Sequence, residues 1–113
     1  DPILYLRRAF SQLKSNRIRK STFSWELSFD DIKDKWEKNK GKCLVTGIQM
    51  THHRDGSGKR ISTNVSIDRI NNKEGYINSN VRLVCWGVNL MKHSMSDIEL
   101  MRWVRRIHDG QKS

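Results

Sequence analysis

The chain has 113 residues, with 22 Lys and Arg against 12 Asp and Glu, a net charge of +10 and a pI near 10.1. That length suits one domain and excludes two, and four Trp with three Phe supply a modest core that excludes wholesale disorder. No apolar run nears the ~18 residues of a membrane span and no signal-peptide pattern opens the chain, so a cytoplasmic location is expected.

In chain order, PILYLRRAFSQLKSNRI begins with Pro2 at a tolerated first-turn position, and Ile3, Leu6, Phe10 and Leu13 recur at helical spacing. The spacing predicts a helix with an apolar stripe and a basic back. Arg7, Arg8, Lys14, Arg17, Arg19 and Lys20 crowd the first twenty residues against Asp1 alone. Because neutralising phosphates releases condensed counterions, a domain this basic is expected to bind a polyanion, nucleic acid first of all. A charged soluble surface or affinity for an anionic membrane surface is the plainer alternative. Residues 17–24 read as a linker, so the organisation expected is a basic helix with linker over 1–24 and a main unit over 25–113, compact together. Asp1, standing where an initiator Met would, reads as the edge of a piece trimmed from something longer.

Ser28 then caps a second helix, with Asp30 and Asp31 favouring its positive end, Ile32 and Trp36 pointing inward, and Gly41 closing it. CLVTGIQMTHHR and KRISTNVSID read as strands joined by the DGSG turn. VRLVCW is another apolar run, VNLMK is helix-like, and SDIELMRWVRRI is a closing helix with a capping box from Ser96 to Glu99. Trp25, Trp36 and Trp103 are expected in the core, Trp86 in the core or on its flank, and Gly75-Tyr76 at the turn of the long loop with Tyr76 as its anchor. Cys43 and Cys85 each look like half of a C-x2-C knuckle, but Thr46 and Val88 stand where the second cysteines would be. Two thiols cannot complete a four-ligand zinc site, so no structural zinc is expected, and two small buried side chains packed together are. With no export signal the thiols should stay reduced.

The combination of C-x2-TG, SIDRI, GY-x3-NVRLVCW and VN-x-MK over residues 28 to 100 resembles the HNH, or ββα-metal, endonuclease family, in particular its small phage and bacterial members. The resemblance implies an α+β fold in which two antiparallel strands, VSIDRI and VRLVCW, and the helix VNLMK form the core, flanked by the N-terminal and C-terminal helices. It implies that Asp68 and Asn89 are ligands of a divalent cation, Mg²⁺ or Mn²⁺, and that Asn80 fastens the long loop and orients the catalytic group. Oxygen donors of this kind suit Mg²⁺, which keeps several waters. DNA is the implied partner and hydrolysis of its phosphodiester bonds the implied activity, with homing, restriction or phage DNA processing all compatible. A single site cuts one strand per engagement, so a double-strand break needs a homodimer or two visits. Contacts to the nucleic acid are expected from Arg7, Arg8, Arg17, Arg19 and Lys92.

Position 69 departs from the family, whose Asp-His pair supplies a general base. Arg69 stays protonated and cannot be one. It could clamp the phosphate with the base elsewhere, hydroxide could attack without a protein base, or the domain could be a relic that only binds nucleic acid. Of the four histidines, His93 and His108 read as surface residues. His52 and His53 lie on the run expected to pair with the Asp68 strand, where alternation lets only one enter the site. His52 is the candidate base, against the plain reading of a structural pair.

Overall fold

Helix α1 (Pro2–Lys20) buries Leu6 and Phe10, with Ile3, Tyr5 and Leu13 packed at the margins of the same stripe. The apolar spacing therefore marks the face that packs, and α1 belongs to the core. It runs further than expected: residues 17–20 continue the helix, because Arg, Ile and Lys there carry no breaker. The structure, a computed structural model, describes residues 1–20 and 24–112, and for Arg19 and Lys20 the backbone alone. The remainder of the expected linker, residues 21–23, lies outside the described residues.

Helix α2 (Phe29–Lys38) starts at a full capping box, with Asp31 N–H donating to Ser28 Oγ at 3.2 Å and Ser28 N–H donating to Asp31 Oδ2 at 3.0 Å. Ile32 is completely buried and Trp36 packs beside the core. The chain leaves through Gly41 at φ +72°, where a Cβ would lie 2.6 Å from Gln49 and 2.8 Å from Trp36. Only glycine meets both conditions.

Of the two expected strand runs, CLVTGIQMTHHR forms no strand, and KRISTNVSID does so only at its VSID end, in β1 (Val65–Arg69). Residues 43–64 are irregular, tied by isolated bridges between Lys42 and Gln49 and between Thr51 and Asn64. Cys43 and Met50 are buried in the core, but Leu44, Val45 and Ile48 between them are exposed, so the segment offers no alternating apolar face. The one described sheet is a pair, β1 (Val65–Arg69) antiparallel to β2 (Val81–Cys85), with Asp68 opposite Arg82. Helix α3 (Trp86–Lys92) follows β2 without a loop, and α4 (Asp97–Gly110) follows α3, its first turn capped by Ser96 Oγ accepting from Glu99 N–H. The architecture is α+β.

Between the strands, Tyr76 holds the connecting loop. It is buried, its ring stacks on Trp25 with centroids 4.8 Å apart, and its backbone exchanges hydrogen bonds with Ser24 and Glu26. Gly75 lets this approach happen, since a Cβ there would sit 2.5 Å from the Ser24 carbonyl oxygen. Cys43 and Cys85 are buried side by side, and Cys85 N–H donates to Cys43 Sγ at 3.3 Å. Burial raises the Cys85 thiol above its usual pKa; at Cys43 burial pulls the same way, but hydrogen bonds from Thr46 and the backbone outweigh it and lower the value. Trp25 and Trp36 pack against the core as expected, and Trp86 is half-buried. Trp103 corrects the sequence reading, for it is 48% exposed on the outer side of α4.

Candidate functional site

A groove of ≈ 940 Å³ opens between α1 and the β1–α3 layer. Asp68, near the end of β1, lies on its floor with only 4% of its surface exposed. An ionised carboxylate buried this deeply needs partners, and it has two. Arg82, its cross-strand neighbour, donates from Nε to Oδ2 at 2.9 Å. Lys92, at the end of α3, donates from Nζ to Oδ1 at 3.1 Å and Oδ2 at 3.3 Å, and also to the Arg69 carbonyl. Arg82 then turns its two terminal nitrogens to Asp97 at 2.8 and 2.7 Å, a bidentate pair at the start of α4. The four charges form one chain, Lys92–Asp68–Arg82–Asp97, across β1, β2, α3 and α4. Burial works to lower the Arg82 pKa, but its two carboxylates raise it above the ordinary arginine value, and Arg82 in turn holds Asp97 below the usual carboxylate range.

Lys92 therefore corrects an expectation. It is completely buried and spends its charge on Asp68, so it presents nothing to a nucleic acid at the surface. Asn89, one helical turn earlier, donates from Nδ2 to Ser66 Oγ at 2.8 Å and to the Ile67 carbonyl at 3.3 Å. The Ile67 acceptor fixes the amide nitrogen on that side and leaves the amide oxygen as the group for other partners. Asn89 and Asp68 both line the groove.

Asn80 closes the loop between the strands from inside. Its Nδ2 donates to the carbonyls of Asn71 and Gly75, both at 3.0 Å, and its Oδ1 accepts from Asn71 N–H at 2.9 Å. Buried at 3% exposure, it positions the loop rather than touching the groove. Arg69, at the start of that loop, lines the groove; it donates to the Glu74 carbonyl at 3.1 Å, and its guanidinium lies 4.9 Å from the centre of the Tyr76 ring.

The histidines are placed differently from the expectation. Residues 52 and 53 are not on a strand, so alternation does not separate them, and both line the groove together with His93. The half-buried His52 ring meets Trp36 edge-on at 6.3 Å, whereas His53 is exposed. What holds their segment is Asn64, completely buried, which donates to Thr51 Oγ at 2.8 Å and to the His53 carbonyl at 3.0 Å. From α1, Arg8 and Arg17 line the groove, and Arg54 and Arg60 join them from the irregular segment. Arg7 points elsewhere, its guanidinium 4.2 Å over the Phe29 ring. The Arg19 side chain lies outside the described residues.

The donor set fits a hard divalent cation: one carboxylate and one amide oxygen, with no cluster of three or more His, Cys, Asp or Glu among the described residues. The two cations already on Asp68 oppose such binding, because like charges at ~4 Å repel by about 4 kcal/mol at an effective dielectric near 20. Sequence reading missed Arg82, Asp97 and Asn64 altogether. The Asp68–Arg82 pairing was within reach once the two strands were set in antiparallel register, since it needs only the offset between them.

With the geometry in hand, the chain is similar in fold to a solved structure of the rare-cutting HNH restriction endonuclease PacI, described for its mechanism of DNA perturbation. The TM-score is 0.66 at 20% identity, over 93% of this chain and 78% of that one. At that identity the likeness is one of fold. No family model and no curated protein matches the sequence.

If Lys92 and Asp68 stabilise each other, Lys92→Ala should cost about 3–5 kcal/mol in urea unfolding, through an underpaired buried carboxylate and a cavity. Lys92→Met, which fills the space, should cost less. Combining Lys92→Met with Asp68→Asn should lose less than the sum of the single losses by about 1 kcal/mol or more. Strict additivity would show that the two do not interact.

Proposed function

We propose that this chain is a metal-dependent endonuclease that hydrolyses phosphodiester bonds in DNA. The observation that carries the reading is the convergence on one groove of Asp68, Asn89, Arg69 and three histidines, flanked by arginines from α1 and from the irregular segment. The fold likeness to an HNH restriction endonuclease supports the same reaction class.

In this reading the arginine-lined walls hold the phosphate backbone, with Arg8 and Arg17 on one side and Arg54 and Arg60 on the other. The Asp68 carboxylate and the Asn89 amide oxygen would hold a divalent cation, Mg²⁺ or Mn²⁺, which would supply stabilisation of charge developing on the phosphate and the leaving oxygen. Arg69 donates to a non-bridging phosphate oxygen; Glu74 and Tyr76 restrain its guanidinium so that little ordering is needed when substrate arrives. His52 takes the proton of the attacking water, the imidazole being the side chain suited to that task near neutral pH. Asn80 keeps the Arg69 loop in place through its three bonds. Asp68 carries a structural load as well, so the informative substitution is Asn, which keeps the shape and removes the charge.

Supercoiled plasmid provides the direct test. Nicking should require Mg²⁺ or Mn²⁺, stop with chelator and be abolished in Asp68→Asn and Asn89→Ala. Arg69→Ala should lose roughly 10²- to 10³-fold, the scale of one transition-state donor. His52→Ala should lose about 10²- to 10⁴-fold, with residual activity rising with pH as hydroxide replaces the base. A wild type that binds DNA but never cuts with either metal would instead be a non-catalytic binding module.

Placement of the arginines makes a separate claim about binding. Removing Arg8 and Arg17 together should flatten the plot of log K against log salt by about 2 units, whereas Arg7→Ala should leave its slope unchanged. An equal effect at Arg7, or none from the pair, would move the footprint off this groove.

A further inference from the structure

Trp86 is a large aromatic residue that the core does not use. It follows β2 directly and is half-buried on the wall of the groove, outside the packed cluster that takes Trp25 and Trp36. Its backbone is fixed. Trp86 N–H donates to the carbonyl of the buried Asn64 at 2.7 Å, and Gly87 N–H donates to the Ser62 carbonyl at 2.8 Å. The indole is thus held in place without being enclosed. Among the described residues its N–H has no acceptor, and the nitrogen is open to solvent.

A planar group already rests on this ring. The guanidinium of Arg60, an exposed residue, lies over it at 5.4 Å from the ring centre. A flat group coming from the groove therefore reaches the indole face. Trp86 and Asn89 are three residues apart, which sets them about 60° apart around α3 and about 4.5 Å apart along it. Successive phosphates of one strand advance by about 3.4 Å. A group on the Trp86 ring is then within about one or two nucleotides of a phosphate held at Asp68 and Asn89.

Inside a duplex both faces of a base are covered by its neighbours, so an indole can stack only on a base that has left the stack. We infer that Trp86 is a stacking platform for an unpaired base beside the phosphate at the Asp68–Asn89 site. The inference rests on the nuclease reading and narrows its substrate class to DNA with an unpaired nucleotide at that position. The magnitudes favour the exchange at the ring. An exposed cation–π contact is worth about 2- to 5-fold in affinity, and base–aromatic stacking about 5- to 150-fold. Arg60 yields the ring to a base and is free to take a phosphate.

Binding measured in the presence of chelator, so that nothing is cut, tests this. The probes are a short single strand of DNA and a strand of the same length and charge whose residues are all abasic. Trp86→Leu should bind the intact strand about 5- to 150-fold more weakly than the wild type, and the abasic strand within about threefold of it. Trp86→Phe, which keeps an aromatic face, should recover most of the loss. The slope of log K against log salt should be the same in both variants, because no phosphate contact is removed. In the wild type, which needs no substitution to fold, the intact strand should quench tryptophan emission far more than the abasic strand. Equal losses on the two strands, no loss on either, or an equal quench by both would overturn the proposal. Such a failure would leave the nuclease reading standing, since nicking is measured separately and with metal.

Discussion

The buried carboxylate of Asp68 is the constraint from which the rest of the arrangement follows. It is almost fully removed from solvent, and Arg82 and Lys92 reach it from the neighbouring strand and from the end of α3. Removing either partner leaves a charge in low dielectric, a penalty of several kcal/mol against a typical total stability of about 5–15 kcal/mol. The strands must therefore pair in the register that sets Asp68 opposite Arg82. Helix α3 must begin where β2 ends so that Lys92 arrives beside the same oxygens. Helix α4 is fixed in turn, because Asp97 completes the Arg82 guanidinium. A polar chain of four residues specifies how four elements meet.

That same chain gives the groove its chemical character. Asp68 and Asn89 line the same groove, together with Arg8, Arg17, Arg54 and Arg60. Lys92 and Arg82 neutralise the carboxylate at rest, so the floor of the groove does not repel a polyanion arriving between the arginines. The same two cations must then tolerate, or yield to, any divalent ion that Asp68 binds. Under the proposed nuclease reading, a neutral resting site would lower metal affinity in the absence of substrate, and phosphate oxygens would help to restore it.

Much of the scaffold was legible in the sequence. The Ile3–Leu6–Phe10–Leu13 stripe, the Ser28 and Ser96 caps and the two strands beside Asp68 all formed where local chemistry places them. Asn80 fastens its loop through bonds a turn asparagine makes readily. Residues 43–64 were misread because their apolar residues suggest strands, whereas Leu44, Val45 and Ile48 are exposed and only isolated bridges tie the segment. Lys92 was misread for the opposite reason. A lysine is almost never fully buried unless paired, and its partner lies twenty-four positions away on another element. Trp103 looked like core because the α4 pattern shows that a face is apolar but not what covers it.

Paramagnetic NMR would report directly on whether Asp68 and Asn89 form a cation site within the groove. Backbone amides of the chain would be followed while substoichiometric Mn²⁺ is added, first without DNA and then with a short non-cleavable duplex. Broadening should centre on Asp68 and Asn89, intensify with the duplex and disappear in Asp68→Asn. Broadening that stays on the exposed carboxylates of α2, or that persists unchanged in Asp68→Asn, would contradict it.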